Sequence, residues 1–294
     1  MRWCEDPSLV RELPRRYRAY AWYSSFAGSD ESRRVPGGSF LLRWLKKLGD
    51  PVTQIRGIDG LAVVADFADE RILEVIHEVR GEDPEYRVMR ALLSPGDTFV
   101  DVGANFGTFS LLASRIVGPS GKVIAIEPQP RLASMISRST ELSGVTNCDV
   151  VGVAAGRNEG DATLLVPRDD SGRAGFFAGF SGRRAHEKVK VKVTTLDRML
   201  EGHDPRMGLM LKIDVEGSEL DVIEGSAKTI AQLRPPIMIE LNPWSAAAAG
   251  RQTKEIIDRL VALGYSSFST AADFPSTLDA SQVPSGAQIN LIAQ

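Results

Sequence analysis

Cysteine and histidine are scarce in this chain. Its 294 residues include two of the first, Cys4 and Cys148, and three of the second, His77, His186 and His203. The two thiols lie far apart in sequence and make no disulfide framework, so free thiols in a reducing, cytoplasmic compartment are expected. So few soft ligands disfavour a structural zinc site. No apolar run is long enough to cross a bilayer, and the N-terminus is charged where a signal peptide requires an apolar core. A basic excess is missing too: the formal net charge is -3, which argues against a nucleic-acid-binding stripe. Arg11, Arg15, Arg16 and Arg18 are interleaved with Tyr17 and Tyr20 and read as a solvated or partner-facing helix. What remains is an ordinary globular composition, 43% hydrophobic, in a chain long enough for one large α/β domain and an N-terminal extension.

Against those absences stands one glycine turn. Phe99-Val-Asp-Val-Gly-Ala-Asn-Phe-Gly-Thr-Phe-Ser110 is an apolar, strand-like run that breaks at its glycines. A helix-like segment follows from Leu111 to Ile116, then a second strand from Lys122 to Ile126 that ends in Glu127. A doubly wound sheet grips an adenosine cofactor in this way, with a glycine loop and, about 20 residues on, an acid for the ribose hydroxyls. A dinucleotide wants Gly-x-Gly-x-x-Gly so that its pyrophosphate can approach the backbone. Here the turn is Gly103-Ala-Asn-Phe-Gly107, with Asn105 near the wanted glycine. Asp101 at the loop's mouth would repel a pyrophosphate but attract the ammonium of a methionine moiety. No Walker lysine follows. S-adenosylmethionine is therefore favoured over a nicotinamide dinucleotide, and over a turn that merely lets a helix pack.

A second motif sharpens the reading. Leu211-Lys-Ile-Asp-Val-Glu-Gly-Ser-Glu-Leu220, followed by Asp221-Val-Ile-Glu-Gly225, resembles the hallmark of the FkbM family of methyltransferases. Asp101-Val-Gly-Ala-Asn-Phe-Gly107 is similar to that family's cofactor loop, and Arg234-Pro-Pro-Ile-Met-Ile-Glu240 to its next strand. The resemblance runs from about Ile58 to near the C-terminus. It implies an α/β, Rossmann-like class I methyltransferase fold: a doubly wound, mostly parallel sheet with an antiparallel edge. It also implies, most often, O-methylation of a hydroxyl on a sugar or secondary metabolite, as in glycan modification or natural product biosynthesis. The acceptor stays open.

Residues 1–57 read as a mixed, mainly helical N-terminal extension and 58–294 as the methyltransferase domain. Apolar spacing suggests a helix at Phe40–Leu48, and alternation about Asp59-Gly60 a hairpin from Ile55 to Phe67. Asp69 is placed to cap a helix Arg71–Val79, and Asp83-Pro84 to start another through Leu93. Strands are expected at Thr98–Val102, Lys122–Ile126, Asp149–Ala154, Gly208–Val215 and Ile237–Leu241. A helix Thr253–Leu263 should lead to short strands at Tyr265–Phe268 and Ile289–Ala293. Alternating strands and helices mean a parallel sheet covered on both faces. Two stretches break the alternation: alanine-rich Asn242–Gly250, and Pro167–Lys188, rich in glycine, arginine and phenylalanine (Phe176, Phe177, Phe180) and a lid candidate or a mobile surface loop.

On this reading Asp101 and Gly103 bind the methionine end, Asn105 and Gly107 shape the turn, and Glu127 takes both ribose hydroxyls. Pro128 packs on the adenine, and Ala154 passes near its edge. Methyl transfer is an in-line displacement, and an alcohol acceptor needs a base or a metal to take its proton. Asp214 and Glu216, two apart at the end of a strand, share a face, with Glu240 ending the next strand. They are base candidates, or helix caps, or together a site for Mg²⁺, which favours oxygen ligands and which related sugar methyltransferase families use. Lys212, in an apolar strand, should pair with a carboxylate. His186 is a further base candidate. His77 and His203 belong to no constellation. N-methylation, a nicotinamide-dependent oxidoreductase and a catalytically silent partner protein are the competing readings, and the extension leaves room for a homo-oligomer.

Overall fold

The computed structural model describes residues 52–81, 83–168, 170–177 and 186–294. The helix expected at Phe40–Leu48, the arginine-tyrosine segment before it and Phe180 lie outside these residues. The described chain opens with a hairpin, β1 (Val52–Arg56) and β2 (Ala62–Asp66), in register from Val52 opposite Asp66 to Arg56 opposite Ala62. It turns through Asp59 (φ 54°) and Gly60 (φ 71°), where the alternation placed the turn. The hairpin bridges residues 57 and 58, joining β1 to β2 across the boundary expected between extension and domain.

Helices α1 (Ile72–Glu78) and α2 (Pro84–Leu92) come next. Then the alternation begins: β3 (Thr98–Val102), α3 (Thr108–Val117), β4 (Lys122–Ile126), α4 (Pro130–Ser143) and β5 (Cys148–Val151). The chain leaves this sheet to make β6 (Ala154–Ala155), β7 (Gly160–Pro167) and β8 (His186–Thr194). It returns through α5 (Leu196–Met199) to β9 (Leu209–Ile213), α6 (Glu219–Glu224), α7 (Ala227–Leu233) and β10 (Ile237–Leu241). Helices α8 (Pro243–Ala248) and α9 (Thr253–Ala262), then β11 (Phe268–Thr270) and β12 (Ile289–Ala293), complete it.

The main sheet has seven strands in the order β11-β12-β10-β9-β3-β4-β5. Strands β10, β9, β3, β4 and β5 run parallel, and β12 is antiparallel to both β10 and β11. This is the class I methyltransferase arrangement, with its antiparallel edge. Every residue of β3, β9 and β10 is buried, as expected of parallel strands covered on both faces. Val100, Val102, Leu211 and Ile213 face one core with Val222, Ile223 and Leu260. Phe99 and Met210 face another with Val88, Met89 and Ala113. Burying each such side chain contributes roughly 1.5–3 kcal/mol, enough for these faces to fix the register. Period two then places Asp101 and Lys212 on the Phe99 and Met210 face, within the core.

Several expected elements move. The third strand stops at Val151, because the chain turns at Gly152, with Val153 N–H donating to Val151 O at 3.0 Å. Ala154 therefore belongs to a second, three-stranded sheet, where it pairs with Val193 of β8. The fourth strand ends at Ile213, which leaves Asp214 and Glu216 in the following turn. The strand expected at Tyr265–Phe268 is Phe268–Thr270, since Tyr265 is buried with its hydroxyl donating to Pro235 O at 2.6 Å. Asn242–Gly250 is mostly the short helix α8, capped by the Asn242 carboxamide. The ends of the expected lid are strands: Pro167 pairs with His186 at the head of a ladder that runs to Gly160 opposite Val193. Asp69 does not cap α1, whose N-cap is Arg71; its Oδ1 accepts the Arg71 N–H one step earlier, at 3.1 Å.

Candidate active site

The strand order reverses between β3 and β9, and at such a point the loops beyond the carboxyl ends part into a crevice. Here they meet backbone to backbone. Asp214 N–H donates to Val102 O at 3.0 Å. A Cβ on Gly103 (φ 82°) would stand 1.9 Å from Asp214 O, so glycine is required there.

Past Gly103 the loop wraps onto Glu127. Asn105 adopts φ 53°, a left-handed conformation that costs energy outside glycine and tends to mark functional sites. Its N–H donates to Glu127 Oε2 and Gln129 N–H to Oε1, each at 2.8 Å. Burial pushes Glu127 up to about 7, against those two donors. A carboxylate oxygen has more than one acceptor site, so both oxygens keep capacity for ribose hydroxyls. Gly107 (φ 78°) opens α3 where a Cβ would press on Ile136. Pro128 is half-buried beside Glu127.

Asp101 is 0% exposed and sits under α3. Its Oδ2 accepts from Ser110 Oγ at 2.6 Å, and its Oδ1 lies 3.6 Å from Lys212 Nζ. Burial raises the Asp101 pKa and the Lys212 charge offsets part of that. Burial opposes the Lys212 charge as well, but Asp214 and Asp101 outweigh it and hold the ammonium above the ordinary lysine range. Lys212 also stands 5.1 Å over the Phe109 ring. In this structure Asp101 thus engages Lys212 and Ser110 inside the sheet, where the sequence suggested a place at the mouth of the loop.

At the carboxyl ends of β9 and β10 three carboxylates converge. One oxygen each from Asp214, Glu216 and Glu240 lie within 4.8 Å of one another. The left-handed turn through Glu216 (φ 52°) and Gly217 (φ 100°), after the strand has ended, brings Glu216 back beside Asp214. Burial and the neighbouring carboxylates raise Glu216 and Glu240 well above the usual carboxylate range. Glu240 Oε1 accepts from Gln288 Nε2 at 2.7 Å; Glu240 Oε2 and Glu216 Oε2 are buried without hydrogen-bond partners. Neither Asp214 nor Glu216 caps α6. Glu219, which the sequence reading missed, accepts the Gly217 N–H at 3.0 Å and the Val215 N–H at 3.3 Å, and burial pushes it up to about 7. Its place at the first position of a helix after a glycine turn was the available signal.

The segment at 170–177 joins the two halves of the site. Ser171 donates its N–H to Asp69 Oδ1 at 3.0 Å, and its carbonyl accepts from Gln129 Nε2 at 3.2 Å. Asn105 Nδ2 reaches Ser171 Oγ at 3.4 Å. At its other end Gly175 passes Glu216 O, and the Phe177 ring passes Gly217. His186 opens β8 opposite Pro167 and is not part of the carboxylate group. Ala154 is buried with Leu164 and Val191 in the second sheet, not at the end of a main-sheet strand.

The Methyltransferase FkbM domain matches residues 101–267, more than half of the chain and both loops of the crevice. The chain belongs to the FkbM methyltransferase family. It is thus an S-adenosylmethionine-dependent methyltransferase, and the crevice fits that donor, with Glu127 presenting anchored oxygens and Asn105 Oδ1 buried without a hydrogen-bond partner. This FkbM enzyme is similar to Methyltransferase 1 of Beauveria bassiana, 29% identical over 209 residues that cover 65% of this chain and 82% of that protein. It is also similar to the hexuronic acid methyltransferase AglP of Haloferax volcanii, 24% identical over 169 residues, 56% of this chain and 66% of that one. Among solved structures, the methyltransferase FkbM of Methylobacillus flagellatus aligns with a TM-score of 0.42 and 18% identity, over 79% of this chain and 56% of that one. Among the described residues no helix is long and apolar enough to cross a membrane.

Proposed function

We propose that this enzyme moves the methyl group of S-adenosylmethionine to a hydroxyl of a sugar or secondary metabolite. The observation that carries the proposal is the carboxylate group Asp214, Glu216 and Glu240, set against the cofactor loop by the contact of Gly103 with Asp214 O. An alcohol is a weak nucleophile until its proton is leaving, whereas an amine needs no such help, so a cluster of proton acceptors at the transfer point suits a hydroxyl. Glu216 and Glu240 each keep an oxygen with no hydrogen-bond partner, ready to receive an O–H. Glu127 would hold the nucleoside end of the donor, and the tight turn from Gly103 to Gly107 its methionine end. Transfer requires acceptor oxygen, methyl carbon and sulfur in line.

Mg²⁺ belongs to this reading as a second cofactor, since the cluster offers oxygen ligands alone; bound there, it would act as a Lewis acid on the acceptor oxygen. Trp244 supports a ring-shaped acceptor. It is 63% exposed, three residues beyond the end of β10, on a turn held by Asn242 Oδ1. The relation to AglP, named for a hexuronic acid, accords with a sugar.

The test is transfer from isotopically labelled S-adenosylmethionine to a panel of hexosides, hexuronic acids, phenols, aliphatic alcohols and amines, with products resolved by mass spectrometry. O-methyl products support the proposal. Methylation of amines alone would overturn it in favour of N-methylation.

A further inference from the structure

Asp101 lies inside the sheet with Lys212 and Ser110, so the charges of the donor's methionine end need partners from outside the cofactor loop. With the nucleoside at Glu127, that end lies over Gly103 and the carboxyl ends of β3 and β9. The start of α1 comes to the same place. Arg71, its N-cap, has a side chain only 16% exposed. Burial opposes the Arg71 charge, but Glu74, Glu78 and Asp214 outweigh it and hold the guanidinium protonated. The segment that crosses the site clamps this residue. Asp69 Oδ1 accepts both the Arg71 N–H and the Ser171 N–H, at 3.1 and 3.0 Å. A Cβ on Gly172 would stand 3.0 Å from Arg71 Cδ.

The two sides of the guanidinium fork differ. Glu78, with a side chain 9% exposed, binds Nη2. Nη1 is buried and makes no hydrogen bond, although Glu74 Oε2 stands 2.5 Å away. Glu74 is 56% exposed and loses little by turning to water. A buried N–H of this kind, on a fork fixed from its other side, is a prepared seat for a carboxylate. Other basic groups around the crevice are engaged: Lys212 with Asp101 and Asp214, Arg173 with Asp170, and Arg131 with Asp66 and Asp69. We infer that Arg71 binds the α-carboxylate of the methionine moiety, with Glu74 withdrawing to water as the donor enters. Glu78 is then a positioning residue that keeps the fork turned toward the cofactor loop. Arg71 precedes the matched family domain at 101–267, so none of its motifs carries this assignment. The inference concerns the donor and stands or falls apart from the acceptor.

The experiment is calorimetry of the full chain with two ligands that share the nucleoside. S-adenosylhomocysteine carries the carboxylate; methylthioadenosine lacks the whole amino-acid end. Arg71→Met should weaken S-adenosylhomocysteine at least about tenfold, the loss of one charge-assisted pair. Methylthioadenosine affinity should stay unchanged. Glu74→Gln should hold or raise the affinity for S-adenosylhomocysteine, since it frees the seat. Arg206→Gln, at an exposed guanidinium bound to Asp204, should change neither ligand. Circular dichroism checks folding. Should Arg71→Met fail to fold with Glu78 left unpaired, the double variant Arg71→Met, Glu78→Gln removes both charges of the pair and carries the same expectation. Equal weakening of both ligands would make Arg71 merely structural, and unchanged S-adenosylhomocysteine binding would leave it no part in the site; either result overturns the inference. So does a loss in Glu74→Gln as large as that in Arg71→Met.

Discussion

Lys212 and Asp101 face each other across β9 and β3, Nζ to Oδ1 at 3.6 Å, both inside the sheet. The pair ties the strand that carries the cofactor loop to the strand that leads to the carboxylates. Removing one partner from a buried pair leaves an uncompensated charge and costs about 3–5 kcal/mol. Lys212→Met should therefore lower unfolding free energy by about that much, read by urea denaturation. Adding Asp101→Asn should return part of the loss, because the orphaned charge is gone. Equal stability of the single variant and the parent would show that the pair contributes nothing.

With Glu127 proposed to hold the ribose, cofactor affinity should depend on pH. Its carboxyl is raised to about 7 by burial, while ribose hydroxyls would donate to the ionised form. Affinity for S-adenosylhomocysteine should rise about tenfold from about pH 6 to about pH 8, the proton cost disappearing as pH passes the free-enzyme pKa. Stability without cofactor runs the other way. The folded pKa lies above the unfolded value of about 4.3, so the contribution is complete below about pH 4.3 and is lost as pH rises through about 7. Glu127→Gln should flatten both dependences. Calorimetry across this range showing constant affinity would contradict the assignment.

Gly103→Ala tests the closeness of the two loops. Left-handed backbone and a Cβ 1.9 Å from Asp214 O together should cost roughly 2–5 kcal/mol and abolish cofactor binding. Gly144→Ala is the control: φ is 62° there, in the left-handed region, but the Cβ would meet open space, so only the backbone term of about 1–2 kcal/mol applies. Thermal melts and S-adenosylhomocysteine binding of the two variants decide the matter, and equal losses would remove the contact argument.

What the sequence made legible was local. The turn Gly103 to Gly107 and Glu127 could be read because a glycine loop and the acid beyond it lie within one βαβ unit. That Lys212 pairs with a carboxylate is legible, but not which one, since Asp101 lies far along the chain and their pairing depends on the β3–β9 register. The convergence of Glu216 with Glu240 is legible despite that distance, because neighbouring parallel strands bring their carboxyl ends together. The second sheet carries one signal, the strict alternation of Lys188-Val-Lys-Val-Lys-Val193, but its partner β7 is weakly patterned, so the sequence does not show the pairing. Glu219 does not stand out in the sequence, because Asp214 and Glu216 are acids equally close to the turn.

Trp244 gives the last prediction. Of the large exposed apolar side chains among the described residues, Leu142 and Val261 lie on helices α4 and α9 and Val52 on the first strand; Trp244 alone is aromatic and comes directly after β10. Single exposed apolar residues need no explanation in general, so position carries the argument. Ser245 O packs against Gly217, beside Glu216, which brings the α8 turn up to the carboxylates. On the proposed function, a flat indole there would offer an apolar face to the ring of the acceptor. Trp244→Ala should leave unfolding free energy within about 0.5 kcal/mol of the parent, as exposed substitutions do. Affinity for S-adenosylhomocysteine should also be unchanged. The KM for the acceptor found by the transfer assay should rise about fivefold to tenfold, the loss of roughly 1 kcal/mol of stacking, with Trp244→Phe intermediate. An unchanged KM would leave Trp244 no part in acceptor binding, and a change in oligomeric state on gel filtration would assign it to a protein contact instead.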